Sequence, residues 1–254
     1  MFLAIDVSNT QMLLGLYNGT RLQRHWRVMT DVGRTADEYG FLVHGLLGEF
    51  AAQVSGIAVS CVVPAMNTVI EALCRDYLRT PPLFVGPGVK TGMPILYDNP
   101  REVAADRIVN AIAAYERTHA TTIVVDFSTA TIFDYVSEKG EYVGGVIAPG
   151  LGIASEALFE RAAKLYRVEL AKPKHVVGRN TVTAIQSGLI YGYVAMVDGL
   201  VQRIQHEHGV RARVIATGAY AGLLAPESET IEEVDEFLTL DGLRLIYERN
   251  RAAN

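Results

Sequence analysis

Ile5-Asp6-Val7-Ser8-Asn9-Thr10 is echoed 120 residues later by Val125-Asp126-Phe127-Ser128-Thr129-Ala130. Each copy closes an apolar run with an Asp, turns through small polar residues and enters a second apolar stretch. Around the first copy, residues 2–7, 12–17 and 22–27 read as strands, with Asn18-Gly19 as a hairpin turn. Around the second, residues 122–127, 131–136 and 142–147 read as strands, and Lys139-Gly140 turns the chain between the last two. A three-stranded unit duplicated at this distance predicts two similar domains facing across a cleft. The boundary is expected near residue 118, giving domains over 1–118 and 119–254.

Outward from these units, helices and further strands alternate. Thr35-Ala36-Asp37-Glu38 has the form of a capping box, and Phe41, Leu42, Leu46 and Leu47 carry a helix to about residue 50. Residues 57–62 read as a buried strand, Pro64 opens a helix to about residue 78, and 83–85 is a short strand. The Gly- and Pro-rich stretch 86–100 reads as a loop, and helical periodicity resumes over 101–117. Later helices are expected at 153–163, 181–208 and 240–249, a strand at 213–217, and a frayed end over 251–254. This alternation implies an α/β fold in which each domain is a mixed sheet flanked by helices.

The 254 residues are half hydrophobic and one-fifth charged, a globular composition long enough for two cores. The net charge of −5 and the absence of a basic stripe argue against nucleic acid as a partner. Two cysteines, Cys61 and Cys74, with no CxxC pair, argue against zinc and against a disulfide scaffold, and suit a reducing, cytoplasmic setting. Residues 1–7 read as a strand rather than a signal peptide. The uncharged runs 51–70 and 180–197 contain too many polar residues for a bilayer span, so no membrane is expected, and both read as buried elements or subunit contacts.

An anionic ligand must then be held locally. The turn after Asp6 exposes successive backbone N–H groups, a nest for phosphate oxygens, with Asn9 and Thr10 adding side-chain donors. Asp6 itself would reach phosphate only through Mg²⁺ or its water shell. The turn after Asp126 would be its twin, so that two turns clasp the β- and γ-phosphates of one nucleotide. The same residues also describe an ordinary hairpin with an Asx turn. Asp106 lies early in the 101–117 helix with Arg107 beside it and Asn110 one turn on. It is either a carboxylate compensating the helix dipole or a general base for a substrate hydroxyl. Arg107 is either a surface ion-pair partner or a fork for a substrate carboxylate.

The stretches AIDVSNT at 4–10, LYDNPREVAADRIVNA at 96–111, VVDFSTATIFDYV at 124–136 and GGVIAPGLGIASEAL at 144–158 resemble the type III pantothenate kinases. So do GRNTVTAIQSG at 178–188, VIATGAYA at 214–221 and LTLDGLRLIYERN at 238–250. That family belongs to the actin/Hsp70/sugar-kinase superfamily. The resemblance implies two ribonuclease H-like, actin-like domains and ATP-dependent phosphorylation of the primary hydroxyl of pantothenate. It implies that Asp6, Val7, Ser8, Asn9, Thr10, Gln11, Met12 and Leu13 hold ATP, joined by Thr129, and that Asp6 organises Mg²⁺ through water. It implies Asp126 as a ligand of a monovalent cation, K⁺ or NH₄⁺, and Asp106 as the catalytic base. Tyr97, Ala104, Ala105, Asp106, Arg107 and Thr181 would surround pantothenate. A homodimer is implied too, with the 180–197 run as a suitable contact.

The chain departs from the family pattern where Ser8, Ala104, Ser128 and Ala219 stand in place of Gly. A Cβ in a positive-φ slot would be strained. Two readings follow: a working kinase that retains every acid named above, or a weakened kinase-like dimer that binds or regulates.

Overall fold

The computed structural model describes residues 1–162 and 165–252. Two five-stranded mixed sheets organise it. The first contains β1 (Phe2–Val7), β2 (Gln11–Asn18), β3 (Arg21–Met29), β4 (Gly56–Cys61) and β5 (Pro82–Phe84) in the order β3-β2-β1-β4-β5. The second contains β6 (Thr122–Phe127), β7 (Ala130–Val136), β8 (Tyr142–Pro149), β9 (Arg213–Thr217) and β10 (Glu233–Val234) in the order β8-β7-β6-β9-β10. Each begins with an antiparallel three-stranded meander and then adds two parallel strands beside its first strand. The two sheets therefore have one topology, as the echoed sequence predicts, and it is the actin-like arrangement that the family resemblance implies. In both, the Asp is the penultimate residue of the central strand. Asp6 stands between Leu13 and Ser60, and Asp126 between Ile132 and Thr217.

The helices are α1 (Ala36–Leu47), α2 (Asn67–Ala72), α3 (Ala105–Thr118), α4 (Leu151–Arg161), α5 (Thr181–His208), α6 (Ala221–Leu224) and α7 (Leu238–Arg251). Local chemistry sets several ends. Thr35 closes the expected capping box on α1, its hydroxyl accepting from the Glu38 N–H while Glu38 accepts from the Thr35 N–H. Asn180 caps α5 in the same way with Thr183, and Gly209 ends that helix in the left-handed region at φ 64°. The helix expected from Pro64 to residue 78 is a 3-10 turn (Pro64–Met66), then α2, then a π turn (Leu73–Tyr77). The helix expected to reach residue 163 ends its described course at Arg161; residue 163, like residues 253 and 254 of the expected frayed end, lies outside the described residues. Two short elements, α6 and β10, are too brief to carry a periodic signal.

The chain divides into two compact units, Met1–Ala113 with the segment from Phe237 onward, and Ala114–Glu236. Each has its own core. Leu3, Ile5, Val7, Met12, Leu14 and Ile57 fill the first, and Ile123, Val125, Phe127, Phe133, Val197 and Val201 the second. The last helix departs from a simple division at residue 118. Although it follows the second sheet in sequence, α7 covers β1 and β4 of the first, burying Leu238, Leu240, Leu243 and Ile246. Tyr17 Oη donates to Asp241 at 2.8 Å, and the Phe2 and Tyr247 rings stack 4.8 Å apart. An amphipathic helix is drawn to whichever sheet face it completes, and chain order does not say which.

By length and composition α5 would also pass for a membrane span. In this fold Ile185, Leu189, Ile190, Val194, Val197 and Val201 along it belong to the second core.

Candidate functional site

The first unit brings Asp6, at the tip of the central strand, and Asp106, in the first turn of α3, into electrostatic reach of each other. Asp6 is buried, 8% exposed. Ser8 Oγ donates to its Oδ2 at 3.1 Å, while Oδ1 is buried with no hydrogen-bond partner among the described residues. Burial pushes the Asp6 carboxyl up to about 7, and the Asp106 carboxylate adds to the shift; the neighbouring Ser60 and Ser8 hydroxyls pull it back. Burial also raises Asp106, against its own helix N-terminus: the Arg107 N–H donates to Asp106 Oδ1 at 2.8 Å, and the Arg107 guanidinium adds a further lowering influence. Two carboxyl groups that share a poorly hydrated site cannot both ionise cheaply. Such a site calls for a cation or a hydroxyl proton.

The turn that follows Asp6 is a tight hairpin, with the Ser8 N–H donating to the Gln11 carbonyl at 3.1 Å. Asn9, Thr10 and Gln11 are exposed. Leu13 is half-buried, and the Val7 and Met12 side chains belong to the core, so these two have only backbone atoms to offer. Arg107 is buried at 5% exposure, beside the Asp106 carboxylate whose pKa its charge lowers. Asn110 accepts from Thr239 Oγ1 at 2.7 Å, joining α3 to the start of α7. Tyr97, Ala104 and Ala105 are half-buried in and after the 86–100 segment.

In the second unit, Asp126 is buried at 9% exposure, and Ser128 and Thr129 form the matching turn, with the Ser128 N–H donating to the Ala130 carbonyl at 3.0 Å. Gly218, at φ +90°, sits against this Asp: a Cβ there would collide with the Asp126 carboxylate and the Phe127 carbonyl. Thr181 is exposed at the first position of α5, on the wall of a pocket of about 720 Å³ shared with Arg179, Asn180, Leu158 and Leu165. None of Ser8, Ala104, Ser128 and Ala219 has positive φ; among the described non-glycine residues only Arg79 and His119 do. The strain expected from replacing Gly at those four positions is therefore absent.

Ser60, Thr30 and Gly218 do not stand out in the sequence as site residues. Ser60 could have been found as the polar residue inside the buried strand Ile57-Ala58-Val59-Ser60. Thr30 and Gly218 carry no such signal, because their importance is a matter of what they touch.

Twin sheets with an acidic turn at each central strand define an actin-like fold. The solved structures that superpose share that fold. A structure of a ROK hexokinase from Thermus thermophilus superposes with a TM-score of 0.53 at 13% identity, covering 100% of this chain and 99% of that one. A Campylobacter jejuni structure described as of the Baf family of transcriptional activators superposes at 0.63 with 15% identity, over 98% and 99%. The family model described as Type III pantothenate kinase matches residues 2–203. A type III pantothenate kinase of Myxococcus xanthus is 59% identical over 256 residues, covering 100% of both chains. The chain belongs to the type III pantothenate kinase family.

Proposed function

We propose that this chain transfers the γ-phosphoryl group of ATP to the primary hydroxyl of pantothenate, giving 4'-phosphopantothenate, the first step of coenzyme A biosynthesis. Family membership supports this activity directly: the chain is an enzyme, a pantothenate kinase. The single observation that supports the site is the pair of buried Asp6 and half-buried Asp106, with an unsatisfied oxygen on the first and a raised carboxyl on each.

In this reading Asp106 accepts the proton of the pantothenate hydroxyl. Burial raises its pKa and so makes it a stronger base than an exposed Asp. The transition state of phosphoryl transfer is loose, so positioning and charge neutralisation carry most of the catalysis. The Asn9 and Thr10 N–H groups and side chains bind phosphate oxygens, with Ser8, Gln11 and Leu13 around them and Thr129 contributing from the second turn. Arg107 holds the pantothenate carboxylate, and Tyr97, Ala104, Ala105 and Thr181 shape the space around the rest of that substrate.

Two cations belong to this reading, and the residues present fit them. The buried, partnerless Oδ1 of Asp6 suits the water shell of Mg²⁺. Gly218 leaves open a cradle between the Asp126 carboxylate and the Phe127 carbonyl, oxygen donors of the kind K⁺ or NH₄⁺ takes. When bound, such cations offset phosphate charge. We further assign the protein to the cytoplasm and to a homodimer formed through the uncharged 180–197 run. The experiment is an assay of 4'-phosphopantothenate formation with ATP, Mg²⁺ and K⁺. Turnover by the wild-type protein that is lost in Asp106→Asn is expected; wild-type turnover no higher than that control would overturn the proposal.

A further inference from the structure

The hairpin after Asp6 has an uneven distribution of donors and acceptors. The Ser8 carbonyl accepts from Thr30 Oγ1 at 2.8 Å, and the Thr10 carbonyl accepts from the Thr30 N–H at 3.0 Å. One residue, 20 positions from the turn and just past the end of β3, thus occupies the carbonyls on both sides of Asn9. The N–H groups of Asn9 and Thr10 have no partner among the described residues, and both residues are exposed. With the Ser8, Thr10 and Gln11 carbonyls engaged and the Asn9 and Thr10 N–H groups open, the turn presents a surface suited to an anion.

Thr30 is itself held from below. The Asp31 N–H donates to Tyr39 Oη at 2.7 Å, and that hydroxyl lies 3.0 Å from the Asp31 carbonyl and 3.2 Å from the Met29 carbonyl. Tyr39 is fully buried on α1. A phenol anchored in the core therefore fixes the backbone on either side of Thr30.

We propose that Thr30 is a positioning residue for the nucleotide. Its hydroxyl turns the Ser8 carbonyl away from the phosphate and locks the turn in its donor-outward form. This rests on the reading of the Ser8–Gln11 turn as the phosphate cradle. A rotated Ser8 carbonyl would face a phosphate oxygen with like partial charge, and one turn held an ångström out of place is enough to weaken transfer.

Thr30→Val keeps the shape and the backbone N–H bond but removes the hydroxyl; Thr30→Ser restores it. The measurements are KM for ATP, KM for pantothenate, calorimetric affinity for a non-hydrolysable ATP analogue, and Tm. Thr30→Val is expected to raise KM for ATP and weaken analogue binding by about five- to tenfold, the scale of one hydrogen bond, with KM for pantothenate within about twofold. Thr30→Ser should return both nucleotide values to the wild-type range. If Thr30→Val does not fold, Thr30→Ala removes the same hydroxyl without pressing a methyl on the Ser8 carbonyl, and carries the same expectation. Unchanged nucleotide affinity in the folded variant, or equal losses for both substrates that Ser does not restore, would overturn the inference while leaving the kinase reading intact. A wild-type protein that fails to bind the analogue would overturn both.

Discussion

Asp6 and Asp106 are ordinary acids in the sequence and unusual ones in the fold. Burial makes the difference, and it has a sign that can be tested. The Asp6 carboxyl stands at about 7 in the folded protein against 3.8 for an unperturbed Asp. The folded state therefore keeps a proton that the unfolded chain releases, and its stability from this group is full below pH about 4 and declines as pH rises toward 7. Asp6→Asn in nucleotide-free protein should raise Tm over wild type at pH 8 and leave it nearly unchanged at pH 4; a lower Tm than wild type at pH 8 would contradict the burial account. Asp106→Asn should lower kcat by about 10²–10⁴-fold, the range for a lost general base, with an unchanged far-UV circular dichroism spectrum. The residue types and their order were legible. The raised pKa values were not, because burial and the Asp106 carboxylate that pushes Asp6 further up come from parts of the chain far from it in sequence.

At the scale of elements, local signals predicted well where the chemistry is local. Thr35 and Glu38 cap α1 as their spacing requires, and Gly19 and Gly140 take φ of 58° and 75° in the turns expected of them. Where an element depends on a distant contact, the sequence is mute. The 86–100 segment reads only as a loop, yet its middle is gripped by the last turns of α7: Asn250 Nδ2 donates to the Lys90 carbonyl at 2.9 Å, Asn250 Oδ1 accepts from the Lys90 N–H at 3.1 Å, and Arg249 Nη1 donates to the Thr91 carbonyl at 2.6 Å. Asn250→Ala should leave Tm within a few degrees and speed proteolytic nicking between residues 86 and 99, as seen by mass spectrometry of the fragments. The Gly218 turn is a stricter case. Gly218→Ala places a Cβ both in a left-handed slot, at roughly 1–2 kcal/mol, and against Asp126. It should lower Tm and blunt the response of turnover to added K⁺; an unaltered K⁺ response would separate Asp126 from the cation.

For the whole molecule, the repeated topology means that two sheets must each find cover for both faces. The first sheet obtains part of its cover from the far end of the chain. Removing residues 237–254 should therefore strip β1 and β4 of α7 and leave a protein that fails to give a cooperative melt, with protection from hydrogen exchange lost first in 1–113.

The amino-acid sequence alone settled the duplicated strand–turn–strand units, the two acidic turns and the family, because these depend on neighbours within a few residues or on ordered stretches spread along the chain. Only the tertiary structure decided that α7 belongs to the first sheet, that Asp6 and Asp106 share one poorly hydrated place, and that Thr30 secures the turn beside them. Each of those is a contact between residues far apart in the chain, and such contacts are selected by burial and packing of the assembled fold rather than by local preference.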